Sequence, residues 1–246
     1  MARAKDKHTL YFETLEALQA GHCPPCLLGR RGAELYIDAL IYENVNNPTT
    51  RERTRRAQGL CRAHAWYMRE HGGVPGMFLV YRDVVRDVAV ALGGDDPRPP
   101  VTPGLISRVR RLLRRRRPLP AAAQVRAALE PTGTCPACEA QQQAEFIYLN
   151  VLLENLHDPK VAEAMSTGQG LCLGHLRMAL DMAPDEATLS RLIEVHRQLY
   201  GQALADLDEL IARLDFYRFQ DAGGTGDVSG AGIKALTLIA GEKGLT

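Results

Sequence analysis

Cys23-Pro24-Pro25-Cys26 and Gln58-Gly59-Leu60-Cys61-Arg62-Ala63-His64 are matched, further along the chain, by Cys135-Pro136-Ala137-Cys138 and Gln169-Gly170-Leu171-Cys172-Leu173-Gly174-His175. Between the two members of each pair a third motif recurs: Glu43-Asn44-Val45-Asn46-Asn47-Pro48 in the first copy, Glu154-Asn155-Leu156-His157-Asp158-Pro159 in the second. The offset is 112 residues at the first cysteines (23 to 135) and 111 at the histidines (64 to 175), so the copies differ by one residue. Three motifs in the same order, containing all 6 cysteines of the chain, establish an internal duplication.

Hydrophobic periodicity places these motifs on helices. After Cys26 the residues Leu27, Leu35, Ile37, Leu40 and Ile41 fit a helix that Gly29 and Gly32 weaken early. Asn44 to Pro48 stops it, because asparagine favours turns and proline cannot continue a helix. A short polar helix is expected over 49–58 and another from Cys61 to about Glu70, with Gly72-Gly73 as a break. From Val74, the residues Met77, Val80, Tyr81, Val84, Val85, Val88, Ala91 and Leu92 recur at helical spacing, although the β-branched valines leave a strand as the alternative. Leu189, Leu192, His196, Leu199, Ala203, Leu207, Leu210 and Leu214 step by three or four and predict a long amphipathic helix. The expected fold is therefore all-α, with two tandem helical repeats, a Cys3His metal site in each, and a long C-terminal amphipathic helix. Residues 1–93 form the first repeat, 94–120 a Pro/Arg-rich linker, 121–218 the second repeat and 219–246 a glycine-rich tail with a short apolar segment from Ile233 to Ile239. No chemistry is read in that tail.

The spacing of the cysteines speaks for metal. Two cysteines separated by two residues aim both sulfurs at one point, and a second pair returned by a helix and turn completes a tetrahedron with Zn–S bonds of about 2.3 Å. Glycine before each second pair lets the chain turn tightly into the ligand-bearing segment. The expected ligands are Cys23, Cys26, Cys61 and His64 for one site and Cys135, Cys138, Cys172 and His175 for the other, each within its own copy. Two zinc ions are the expected cofactors, with an iron–sulfur cluster as the alternative. A lone buried cysteine is commonly an apolar filler, but recurrence of four ligand types at matched positions outweighs that reading. The rival is redox chemistry at the C-x-x-C pairs; its strand-bearing α/β context is absent, and it leaves the third cysteine and the histidine unexplained. His22 adjoins Cys23, yet Thr134 stands at the matching place in the second copy.

Other residues carry weaker signals. Glu43-Asn44 and Glu154-Asn155 read as helix ends first and as a polar pocket near Tyr42 second. The seven arginines among Arg108–Arg117 read as a solvated helix face, with nucleic-acid contact as the lesser reading because no aromatic residues interleave them for base stacking. Trp66, two residues after His64, is expected to cover a metal site.

Composition bounds the rest. Thirty Lys+Arg against 29 Asp+Glu leave a net charge of +1, and 46% hydrophobic residues suffice for a buried core. The charged N-terminus lacks a signal-peptide run and no window reaches the length of a membrane span, so a cytoplasmic protein is expected, with its thiols reduced. No nucleophile–base pair, phosphate-cradling loop or open three-ligand metal site is legible, so a binding or regulatory module is expected before an enzyme, and a protein partner or a second copy before nucleic acid or membrane.

With these motifs in hand, and with Tyr81-Arg82-Asp83 as a further shared segment, the chain resembles an uncharacterised bacterial family of unknown function that carries the same duplicated motif pair. The resemblance spans nearly the whole chain and supports the fold and the ligands; it implies no activity. The glycine-rich stretch from Asp221 to Gly230 departs from the family's pattern.

Overall fold

The computed structural model describes residues 6–71, 74–93, 122–213 and 228–242. Those residues form eleven α-helices and no strand. In chain order they are α1 (Lys7–Gln19), α2 (Pro24–Asp38), α3 (Pro48–Arg56), α4 (Arg62–His71), α5 (Val74–Ala91), α6 (Ala122–Ala128), α7 (Pro136–Glu154), α8 (Pro159–Thr167), α9 (Leu173–Met182), α10 (Glu186–Arg213) and α11 (Val228–Ala240). A turn of π-helix, Ala39–Glu43, extends α2. The valine-rich segment is α5, a helix, with Val80 and Val84 buried and Val85 outside. Among the described residues no helix is long and apolar enough to cross a membrane. The linker with Arg108–Arg117, the stretch 221–227 and Leu214 lie outside the described residues.

The recurring Glu-Asn…Pro motif has one structural job in both copies. Asn44 donates its side-chain amide to the carbonyl of Ala39 at 3.2 Å, and Asn155 does the same to Val151 at 2.8 Å, closing α2 and α7. Three residues on, Asn47 and Asp158 cap the next helix. Asn47 Oδ1 accepts from the backbone N–H groups of Thr49 and Thr50, and Asp158 Oδ1 from those of Lys160 and Val161. Pro48 and Pro159 occupy the first turn, where a missing N–H costs nothing. Both glutamates of the motif are exposed. Tyr42 is 66% exposed.

Two compact units emerge, and neither is a sequence copy. One takes the described residues up to Ala33 together with those from Ala140 onward; the other takes those of 34–139. Each unit thus combines the beginning of one copy with the end of the other, in place of the division at Gly93 expected from the linker. The division falls inside α2, between Ala33 and Glu34, and inside α7, between Glu139 and Ala140.

In the first unit Leu18, Leu149, Leu152, Leu156, Met165, Leu171 and Leu192 form a core in which Cys23 and Cys172 are also buried. Each such leucine contributes about 1.5–3 kcal/mol relative to exposure. The early glycines of α2 serve close packing here. A β-carbon on Gly32 would stand 2.8 Å from that of Ala144, and one on Gly29 2.5 Å from Cγ of Glu145, so α7 approaches where side chains are absent. The second unit buries Ile37, Leu40, Ile41, Met68, Val80 and Val84. Trp66, expected to cover a metal site, is 61% exposed instead. On α4 the ligand face is taken by His64 and Met68, and Trp66, two residues from His64, turns outward.

Candidate metal centres

Each second motif pair begins with a tight turn. Gly59 and Gly170 have φ of 101° and 66°, in the left-handed region that costs glycine least, and Gln58 shares that conformation at 54°. The turn is held from a following helix in both copies. In the second copy His196 Nε2 accepts the backbone N–H of Leu171 at 3.0 Å while Nδ1 lies 2.8 Å from the carbonyl of Leu192, which fixes the neutral tautomer with the proton on Nδ1. Burial holds the pKa of His196 below the ordinary histidine value. In the first copy the Tyr81 hydroxyl accepts from Leu60 N–H at 3.4 Å. Periodicity marked both residues only as helix positions. His196→Leu is expected to cost about 1–3 kcal/mol, because the buried N–H of Leu171 loses its acceptor; chemical denaturation would show it as a lower midpoint with an unchanged slope. Two residues past Tyr81, Asp83 pairs with Arg51 and, at 3.0 Å, with Arg86, tying α5 to α3.

The eight expected ligands gather in two groups, but not as the copies divide them. Cys23 and Cys26 meet Cys172 and His175; Cys61 and His64 meet Cys135 and Cys138. The expectation that each copy closes its own site is corrected. Both pairs have the C-x-x-C or C-x-x-H spacing whichever partner they take, so local sequence could not choose between them.

In the first group Cys26 Sγ lies 3.7 Å from Cys172 Sγ, and His175 Nδ1 lies 3.3 Å from Cys26 Sγ, 3.3 Å from Cys172 Sγ and 3.5 Å from Cys23 Sγ. In the second, Cys138 Sγ lies 3.6 Å from Cys61 Sγ, and His64 Nδ1 is 3.2, 3.3 and 3.7 Å from the sulfurs of Cys61, Cys138 and Cys135. A tetrahedral ion with Zn–S near 2.3 Å and Zn–N near 2.05 Å requires edges of about 3.8 Å between sulfurs and about 3.6 Å from sulfur to nitrogen. Both groups fit, and both present Nδ1.

Two helix N-termini converge on each group. Cys23 precedes α2 and Cys172 precedes α9; Cys135 precedes α7 and Cys61 precedes α4. The unpaired N–H groups and dipoles of those first turns favour thiolate charge. Burial opposes ionisation of Cys135, yet hydrogen bonds from His64 and from the backbone N–H groups of Cys61, Cys138 and Ala137 outweigh it and bring the thiol to about 6. Cys138 is pushed up to about 12 by burial and by its sulfur neighbours. In the first group hydrogen bonds from Cys23 and Cys26 hold Cys172 far below the ordinary thiol range, while Cys23 goes up. Three sulfurs around one point share protons until a cation replaces them.

Glu145 Oε2 stands 3.7 Å from His175 Nε2, the ring nitrogen turned away from the sulfurs. A carboxylate on that side favours a proton on Nε2, the tautomer that leaves Nδ1 free to ligate. Glu34 occupies the equivalent place in the first copy, at the same offset of 111 residues (34 to 145), and this recurrence was available in the sequence. Glu145→Gln should weaken zinc at Cys23, Cys26, Cys172 and His175 by about 10–100-fold, measured by competition with a chelator of known affinity.

The end of the tail also reaches this group. A β-carbon on Gly241 would lie 3.2 Å from Cys26 Sγ and 3.5 Å from Cys172 Sγ, and Glu242 Oε1 lies 3.1 Å from His22 Nδ1 and 3.4 Å from the backbone nitrogen of Cys23. The tail in which the sequence showed no chemistry forms one wall of a group that could hold a metal ion.

No solved structure matches this chain. An uncharacterized 23.9 kDa protein in the xynA 3′ region of Caldicellulosiruptor sp. (strain Rt8B.4) is 22% identical over 230 residues, covering 93% of this chain and 100% of that protein. Residues 12–221 match a family of unknown function, DUF6062, and with the greater part of its length in that match the chain belongs to this family.

Proposed function

We propose that the chain is a zinc protein in which two structural ions, each held by three cysteines and one histidine, tie the two sequence copies together and support a binding or regulatory module. One observation carries the reading: both ligand groups have the edge lengths of a tetrahedral zinc site. All four ligand atoms of each group lie within 4.8 Å of one another, which suits a single ion better than a multi-iron cluster. With four protein ligands each centre is closed, so the metal supplies cohesion and no coordination position for a substrate. That closure speaks against catalysis at the ions and leaves a binding role as the reading, with a protein or a second copy of the chain as the partner. A compartment that keeps thiols reduced, as the cytoplasm does, suits the six free cysteines.

Elemental analysis of the purified chain tests the proposal. Two zinc ions per chain and a colourless protein are expected. Iron with inorganic sulfide and a brown colour would favour the redox alternative, and absence of metal after purification under reducing conditions would refute both.

A further inference from the structure

The two ligand groups are built alike but enclosed differently. In the group of Cys23, Cys26, Cys172 and His175, Cys23 is 0% and Cys172 4% exposed, both within the leucine core of their unit. The remaining sulfur, that of Cys26, is only partly buried, and there the chain supplies a cover. Helix α11 packs on α9 and α10 and ends in Gly241, whose φ of 85° turns the backbone over Cys26 and Cys172. Any side chain at 241 would press on those sulfurs, so the contact is between backbone and metal ligands. Glu242 then fastens the segment to His22 and to the backbone of Cys23. In the group of Cys61, His64, Cys135 and Cys138 all three cysteines are partly exposed, and only His64 is buried.

A bound ion leaves a closed tetrahedral site fastest when a competing ligand can reach it. The incoming thiolate or chelator bonds to the ion, one protein sulfur departs, and that sulfur takes up a proton from solvent. Such attack needs access to the ion past the sulfurs, which the burial of Cys23 and Cys172 restricts to one side, a cavity beside Cys26 and His175 whose wall is Gly241 and Glu242.

Resting on the zinc reading above, we propose that the centre of Cys61, His64, Cys135 and Cys138 is the exchangeable one, loading from and releasing to thiol or chelating ligands, while the C-terminal segment through Gly241 and Glu242 locks the other. The two centres of one duplicated motif thereby differ in lability: both ions hold their units together, and one of them also exchanges with the available metal.

Release of zinc from the full-length, two-zinc protein into excess EDTA, followed with a metallochromic indicator, tests this. Two phases of one ion each are expected, with rates at least tenfold apart. The chain carrying Cys61→Ser with Cys135→Ser should hold one ion and show only the slow phase. Glu242→Ala should speed the slow phase severalfold and leave the fast one unchanged; a chain ending before Val228 should do so more strongly, provided its circular dichroism shows the remaining helices intact. A single phase for both ions, a fast phase that disappears with Cys23→Ser plus Cys172→Ser, or a slow phase indifferent to Glu242→Ala would overturn the proposal. Absence of zinc from the starting protein would instead overturn the zinc reading itself.

Discussion

Stripping both ions with a strong chelator at neutral pH should lower the melting temperature by about 20 °C or more and remove part of the helical circular dichroism, and added zinc should restore both. Apparent binding energies of structural zinc in small domains are on the order of 10 kcal/mol, comparable to the whole stability of an ordinary fold. At this chain length each kcal/mol is worth roughly 2–4 °C. In the proposed zinc protein each ion would join the first turns of two helices from different copies, so its loss would free α2 from α9 in one unit and α4 from α7 in the other. Helix α10 carries no ligand and keeps its own apolar period through Leu192, Val195, Leu199 and Ala203, so some helical signal should persist. Acid should act in the same direction. The metal-bound state holds fewer protons than the metal-free chain, because thiols and imidazoles must lose theirs to ligate, so the stability the ions provide rises with pH and is lost as pH falls. A melting curve unchanged after demonstrated metal removal would leave the cysteines as packing or redox groups.

The duplication, the helical class and the ligand types were all legible in the sequence, because each rests on local pattern. Motif order shows the repeat, three- and four-residue steps show α10, and C-x-x-C with C-x-x-H marks the side chains that gather into groups able to hold a metal ion. What joins to what was not legible. The two-residue spacings of Cys23/Cys26 and Cys61/His64 are satisfied equally by their own copy and by the other, and the choice rests on the tertiary packing of each unit. The same limit hid the glycines of α2. Gly29 and Gly32 read as weak points of a helix and turn out to be where α7 comes close. Trp66 was misplaced because proximity in sequence to His64 says nothing of which side of a helix a residue occupies. Gly241 and Glu242 gave no signal at all, since their role depends on a contact with residues more than two hundred positions away. Asn44 and Asn155, whose work is local, were read correctly as helix ends.

The crossed arrangement alters how the duplication is to be understood. Two adjacent copies that each closed a site would be independent; here neither copy contains a complete one, and the chain between them must bring both halves together before either ion is held. Singly replaced cysteines do not reveal this. Cys61→Ser removes one ion whether the sites lie within copies or across them.

Pairs of replacements separate the two arrangements, and counting zinc per chain in two double variants of the full-length protein is the most direct measurement. Cys23→Ser with Cys172→Ser breaks one crossed site and should leave one tightly held ion. Cys23→Ser with Cys61→Ser breaks both crossed sites and should leave none, although both changes fall in the first copy. The opposite result, one ion retained after Cys23→Ser with Cys61→Ser and none after Cys23→Ser with Cys172→Ser, would mean that each copy closes its own site and would contradict the account.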